Sequence, residues 1–121
     1  MVREKPVPGP IVYFEFDRTE VRPLYQEELA AFAKVMRHHP DYDILVIGHA
    51  DNRGTVPYNE TLSLNRARAV RGLLESYGIP RQRIHIYGSG EITTVDQGGK
   101  HLSKNTDRRA MVKVQARGTT L

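Results

Sequence analysis

The chain has 121 residues, 39% of them hydrophobic and 26% charged, a size and composition that suit one globular domain and are too small for two. It contains no cysteine, which excludes disulfides and thiolate metal sites. The formal net charge of +4 and the pI near 9.6 favour an anionic partner, but acidic residues interrupt the basic ones throughout, so a solvated basic surface is favoured over a nucleic-acid-binding face.

No segment approaches the ~20 apolar residues that a membrane span needs. The first residues are charged or proline, as in Arg3, Glu4, Lys5 and Pro6, and do not resemble a signal peptide. If the domain works outside the cytoplasm, we expect a region outside this chain to deliver it and to tether it to the outer or inner membrane.

Proline and the apolar periodicities predict the elements in chain order. Residues 1–10 are expected to be an extended lead, 11–117 the domain and 118–121 a loose tail. Within the domain we predict strands at 11–16, 43–48, 83–87 and 110–115, helices at 24–38 and 59–77, and a glycine turn at 88–90. Pro23 suits the first helical position, and Gly78 followed by Pro80 is typical of a helix end. Residues 91–106 form a polar stretch without an assignment.

The resulting order is β-α-β-α-β-β, which predicts an α+β fold. Two helices packed on one side of a mixed four-stranded sheet bury the apolar face of every element at once.

Three polar stretches stand out when they are considered together. The first is Gly48-His49-Ala50-Asp51-Asn52-Arg53-Gly54, where a strand opens into a loop. The second lies in the second helix and contains Asn59, Leu62, Ser63, Arg66 and Ala67. The third is Asp107-Arg108-Arg109, just before the last strand.

With Phe16-Asp17 at the end of the first predicted strand, this set resembles the OmpA-like domain of outer-membrane anchors, peptidoglycan-associated lipoproteins and flagellar stator proteins. That family combines G-H-T-D-x-x-G, N-x-x-L-S-x-x-R-A and a late N/D-R-R in the same order. The resemblance extends from Ile11 to Gln115, and Ala50 departs from it because the family usually has threonine there. It implies a non-catalytic, periplasmic domain that faces the cell wall and binds peptidoglycan.

The resemblance also implies the ligand, which is the meso-diaminopimelate of the stem peptide. Its free end carries an ammonium and a carboxylate on one carbon, so recognition requires one fixed anion and one fixed cation. Asp51 can accept from the ammonium, and Arg66 can hold the carboxylate with a bidentate fork. The other residues implied as ligand-binding are Phe16, Asp17, Asn59, Leu62 and Arg108.

Most of these positions also have a simple structural interpretation. Asp51 could cap a turn with Asn52, and Arg66 could form a surface ion pair with Glu60 or Glu75. Asn59 could cap the second helix, and Phe16 could be a core residue. For residues 107–109, electrostatic bracing of the loops is favoured over ligand contact.

Other chemistry is poorly supported. His49 with Asp51, and His38 with His39, lack the further converging ligands of a metal site. Gly88-Ser89-Gly90 lacks the lysine and the spacing of a phosphate loop, and no serine lies in a nucleophile elbow. No cofactor and no catalysis are therefore expected.

The principal hypothesis is a wall anchor for a larger envelope protein, with no nucleic-acid partner and a homodimer left open. Its main rival is an interaction module of a secretion or motility assembly that has lost wall binding. A metal-dependent hydrolase built on His49 and Asp51 is the remote third possibility.

Overall fold

A computed structural model describes residues 7–117, and the expected tail at 118–121 and most of the lead lie outside that range. It contains four strands, two long α-helices and one short α-helix: β1 (Val7–Tyr13), α1 (Pro23–Arg37), β2 (Tyr42–Ala50), α2 (Val56–Ser76), β3 (Ile84–Glu91), α3 (Lys104–Asp107) and β4 (Arg109–Ala116). One turn of 3-10 helix (Arg81–Arg83) precedes β3. The strand order is β1-β4-β2-β3, with β2 and β3 parallel and the other two pairs antiparallel. The predicted α+β fold, two main helices on a mixed four-stranded sheet, is confirmed.

One apolar core joins the helices to the sheet. Leu29 of α1 and Val70 of α2 are fully buried together with Val12, Val46 and Val112 of three strands. Alternate residues of a strand face opposite sides, so each of these strands contributes every second residue to this core. Because both helices share this core with the sheet, the end of β2 and the first half of α2 are held in fixed positions relative to each other.

Both long helices begin at proline-containing sequences. α1 starts at Pro23, as predicted, because the missing N–H of proline costs nothing in the first turn. α2 starts at Val56, three residues before the predicted start, and the Thr55 side chain accepts a hydrogen bond from the backbone N–H of Tyr58 at 3.3 Å. The earlier start brings Tyr58 into the helix and places Asn59 inside it rather than at its first position.

The first strand differs from its prediction at both ends. β1 begins at Val7 rather than residue 11, and Val7 and Pro8 pair with β4 instead of belonging to an extended lead. The prolines are tolerated because β1 is an edge strand, and its register shifts between Pro8 and Ile11. β1 ends at Tyr13, which leaves Glu15 and Phe16 in the loop before α1.

The predicted turn at 88–90 is wrong, because these residues continue β3. A Cβ at Gly88 would lie 2.7 Å from the backbone nitrogen of Leu64, and one at Gly48 would lie 1.8 Å from the carbonyl oxygen of Ser63. These glycines let α2 approach the sheet closely. Their sequence signal is the same as that of a turn, which explains the error.

The stretch at 91–106 returns the chain to the start of β4. It contains an isolated bridge between Val95 and His101, and it ends in the short helix α3, which Ser103 caps. Across residues 7–117, no helix has the length and apolarity required to cross a membrane.

Candidate functional site

The seven residues implied as ligand-binding surround one pocket at the end of β2. They come from the β1–α1 loop, the β2–α2 loop, α2 and the start of β4: Phe16, Asp17, Asp51, Asn59, Leu62, Arg66 and Arg108. The pocket volume is about 170 Å³, many times the ~10–15 Å³ that a cavity needs to hold one water molecule. This space suits a small polar group such as the head of an amino acid.

Arg66 lies at the base of the pocket with no accessible surface. Its guanidinium donates to three backbone carbonyls, those of Arg18 at 3.0 Å, His49 at 2.9 Å and Glu15 at 3.2 Å. The alternative of a surface ion pair with Glu60 or Glu75 is therefore wrong. A guanidinium has five N–H groups, so these three bonds leave two of them unused.

Burial lowers the pKa of Arg66 to about 10, and the nearby positive charge of Arg108 adds to this effect. Arg66 is still a cation at neutral pH. A buried cation whose partners are uncharged carbonyls retains a strong preference for an incoming anion.

Asp51 is buried and is surrounded by donors. Its Oδ1 accepts from the backbone N–H of Arg53 at 3.0 Å, and its Oδ2 accepts from the guanidinium of Arg53 at 2.7 Å and from that of Arg108 at 3.2 Å. Burial raises the pKa of Asp51, but the hydrogen bonds from Arg53 and Arg108 outweigh it and lower the pKa to about 2. Asp51 thus closes a turn, with Arg53 rather than Asn52, and also presents a fixed negative charge.

Two residues of the β1–α1 loop, Phe16 and Asp17, form one wall of the pocket. Phe16 is 51% exposed, so the alternative that places it in the core is wrong; Phe14 occupies the core position instead. Asp17 has a positive φ of 57°, which aspartate tolerates better than most residues. Its carboxylate accepts a hydrogen bond from the hydroxyl of Tyr58, and this bond raises the pKa of Tyr58.

Asn59 lies inside α2 and is buried. Thr55 is the N-cap, so the helix-capping alternative for Asn59 is wrong. Its side-chain amide instead donates to Glu91 at 3.2 Å, which connects α2 to the end of β3. Leu62, one turn further along α2, is half-buried and adds an apolar surface to the pocket.

The bracing role predicted for 107–109 is confirmed for its first two residues. The Arg108 side chain donates to the Phe14 carbonyl at 2.9 Å, to Asp51 and to Asn105, so it joins three segments while it lines the pocket. Asp107 accepts from Thr94 and His101. Burial raises the pKa of Asp107, but the bonds from Thr94 prevail and hold it below its usual value.

Three further residues line the pocket and were not predicted: Arg53, Gly54 and Tyr58. The first two lie within the G-H-A-D-N-R-G stretch, and Gly54 has a φ of 89° that explains its glycine. The spacing of Asp51 and Arg53, typical of a side chain bonded to the backbone two residues on, could have indicated Arg53. Tyr58 has no comparable signal, because its position depends on the earlier start of α2.

The histidine considered for a metal lies apart from the pocket. The Nδ1 of His49 is hydrogen-bonded to the hydroxyl of Ser89, and burial, with Arg109 and Lys113 nearby, lowers its pKa to about 4. Among the described residues, no group of three or more His, Asp or Glu side chains is arranged to hold a metal ion.

The chain belongs to the OmpA family, whose model matches residues 13–109. Over 112 residues it is 35% identical to the peptidoglycan-associated lipoprotein of Buchnera aphidicola subsp. Baizongia pistaciae, an alignment that covers 93% of this chain and 65% of that protein. The chain thus spans about 65% of the length of this curated relative.

Two solved structures are similar. The peptidoglycan-associated lipoprotein from Burkholderia pseudomallei superimposes with a TM-score of 0.78 at 32% identity, covering 87% of this chain and 89% of that chain. The cell wall anchor of the T6SS from Pseudomonas aeruginosa superimposes with a TM-score of 0.65 at 28% identity, covering 87% of this chain and 76% of that chain.

Proposed function

We propose that this domain is a non-catalytic wall anchor that binds the diaminopimelate of a peptidoglycan stem peptide in the periplasm. The observation that carries the proposal is the pocket in which a buried cation, Arg66, and a buried anion, Asp51, lie at the end of β2. The names of its relatives, two peptidoglycan-associated lipoproteins and a cell wall anchor, support the same class of partner.

The chemistry follows from the two fixed charges. The ligand's ammonium donates to Asp51, which remains ionised down to a pH of about 2. Its carboxylate accepts from the two N–H groups of Arg66 that the backbone carbonyls leave free. Low accessibility strengthens both contacts, because water competes less for buried hydrogen bonds. Leu62 and Phe16 then face the methylene chain of the ligand.

Asp51→Asn tests the proposal with little change in shape. Without the charge, the ammonium loses its partner inside the pocket, and we expect binding to isolated, diaminopimelate-containing sacculi to weaken by about 2–5 kcal/mol. A co-sedimentation titration measures this loss. Arg66→Ala is a poorer test, because it also leaves three backbone carbonyls without their donor and so destabilises the fold.

Asp43→Asn is the matched control. Asp43 is also an aspartate with polar partners, hydrogen-bonded to His85 and ion-paired with Arg117, but it lies at the other end of β2. We expect Asp43→Asn to bind sacculi as the wild type does. If Asp51→Asn, still folded, sedimented with sacculi as well as this control, the wall-anchor proposal would be refuted and an interaction module favoured.

A further inference from the structure

The carboxylate of Asp51 already has a cation bound to it. The guanidinium of Arg53 donates to Asp51 Oδ2 through Nη2 at 2.7 Å and through Nε at 3.2 Å. Its centre lies 3.7 Å from the centroid of the Phe16 ring, so the same side chain is stacked on the outer wall of the pocket. Asp51 is 4% exposed and Arg53 is 40% exposed, which places Arg53 on the solvent side of the pair.

Arg53 and its neighbours cover the charges that the proposed ligand needs. Arg66 has no accessible surface although it lines the pocket. Phe16 and Tyr58, both about half exposed, lie at the rim, and the Tyr58 hydroxyl is bonded to Asp17 across it. A ligand reaches Arg66 and Asp51 only if this cover moves, and Arg53 is the part of the cover that holds Asp51 directly.

We propose that Arg53 is a specificity-determining residue, an internal cation that occupies the ammonium position until a zwitterionic ligand replaces it. This proposal rests on the proposed function. An incoming ammonium displaces the Arg53 guanidinium from Asp51, and the released guanidinium then needs a new anion. A ligand with a carboxylate on the same carbon as its ammonium supplies that anion next to Arg53 and Arg66.

A ligand with an ammonium alone receives no such compensation. A lysine side chain breaks the Arg53–Asp51 pair and leaves the guanidinium of Arg53 without a carboxylate. The exchange therefore makes the difference in affinity between diaminopimelate and lysine larger than the contact with Arg66 alone would make it. The backbone N–H of Arg53, which donates to Asp51 Oδ1, takes no part in this exchange and holds the carboxylate in place.

Arg53→Gln tests the exchange. The probes are two tripeptides that differ only in their third residue, meso-diaminopimelate or lysine, titrated by calorimetry into the 121-residue chain. Removal of the competing cation is expected to raise the affinity for the lysine peptide by about tenfold, which is ~1.4 kcal/mol. The affinity for the diaminopimelate peptide changes by less than about threefold, because the lost competition and the lost contact with the carboxylate offset each other. The preference for diaminopimelate therefore falls.

Two further variants make the result specific. Arg53→Lys keeps the charge and should retain part of the preference. Arg68→Gln removes another arginine, one that is exposed on α2 and donates a hydrogen bond to Asn65, and should leave both affinities unchanged.

The proposal is overturned if Arg53→Gln leaves the ratio of the two affinities unchanged, or if it weakens both peptides equally as an ordinary ligand contact would. In either case a wild type that selects diaminopimelate still supports the wall-anchor function. Binding of neither peptide by the wild type would overturn both proposals.

Discussion

Arg66 connects the stability of the fold to the proposed function at the level of a single residue. It is the largest fully buried side chain within residues 7–117, and its three carbonyl partners come from the β1–α1 loop and the end of β2. The same bonds that fix these two segments also fix the guanidinium. A cation held in this way loses little further conformational entropy when an anion binds.

His49 is the residue for which the structure predicts a pH effect. Its pKa is lowered from 6.5 to about 4, mainly by burial, so the folded chain resists protonation of this side chain. The unfolded chain takes up the proton as the pH falls through 6.5. Between pH 6.5 and 4 the unfolded state therefore binds more protons, and the free energy of unfolding falls by up to about 3 kcal/mol.

Chemical denaturation at several pH values measures this loss. His49→Gln cannot take up a proton, so we expect its stability to change less over the same range, whereas His85→Gln, at an exposed histidine, should retain the wild-type slope. A wild type that is equally stable at pH 6.5 and pH 4 would contradict the account of His49. The pKa of Asp51 is lowered from 3.8 to about 2, so its ionised form stabilises the folded state above pH 3.8. Its contribution to the free energy of unfolding is lost as the pH falls from 3.8 to about 2, below the range in which His49 acts.

At the level of elements, the close approach of α2 to the sheet determines the geometry of the pocket. Gly48 of β2 and Gly88 of β3 lie directly under Ser63 and Leu64 of α2. The approach lowers α2 onto the end of β2, and this brings Arg66 within hydrogen-bonding distance of the His49 carbonyl. The pocket thus depends on two glycines that do not line it.

Gly88→Ala tests this dependence. Its Cβ would lie 2.7 Å from the backbone of Leu64, so α2 must move or the substitution must be strained, and we expect a loss of about 1–3 kcal/mol in the free energy of unfolding. Gly72→Ala is the matched control on the exposed side of α2, where a Cβ would contact nothing within 4 Å. It should stabilise the chain by ~0.5–1 kcal/mol, since alanine is the better helix former. Equal stability of the two variants would contradict the close-packing account.

The elements differ in how much of them the sequence could predict. α1 was placed within one residue at its end because Pro23 and the apolar periodicity act locally. The ends of β1 and β3 were misplaced because they depend on partners far along the chain. Pro8 and Pro10 are compatible with a strand only at the edge of the sheet, and Gly88 belongs to a strand only because α2 passes over it.

In the site too, local sequence patterns could be predicted, whereas contacts that depend on the folded chain could not. Asp51 and Arg66 could be predicted from a motif that is 16 residues long, from Asp51 to Arg66, and they do line one pocket. The contact between Arg53 and Asp51, and its stacking on Phe16, depend on the loop conformation that folding produces. Neither periodicity nor composition predicts which of Arg53, Arg66 and Arg108 donates hydrogen bonds to the carboxylate of Asp51.

At the level of the whole molecule, the apolar core and the charged pocket occupy different places in the fold, and Arg66 belongs to the pocket. The apolar core lies between the helices and the sheet, and the charged pocket lies at one end of β2, where loops from both halves of the chain meet. The scattered basic surface plays no part in this scheme. The central claim is that two opposite charges of the pocket, Asp51 and Arg66, bind the two charges of one ligand.

Calorimetric titration of the wild-type chain with the diaminopimelate and lysine tripeptides tests that claim most directly. The lysine peptide has the ammonium for Asp51 but lacks the carboxylate for Arg66. We expect the diaminopimelate peptide to bind at least ~30-fold more tightly, as the loss of one charged contact of about 2 kcal/mol requires. Equal binding of both peptides, or binding of neither by the folded chain, would contradict the two-charge mechanism.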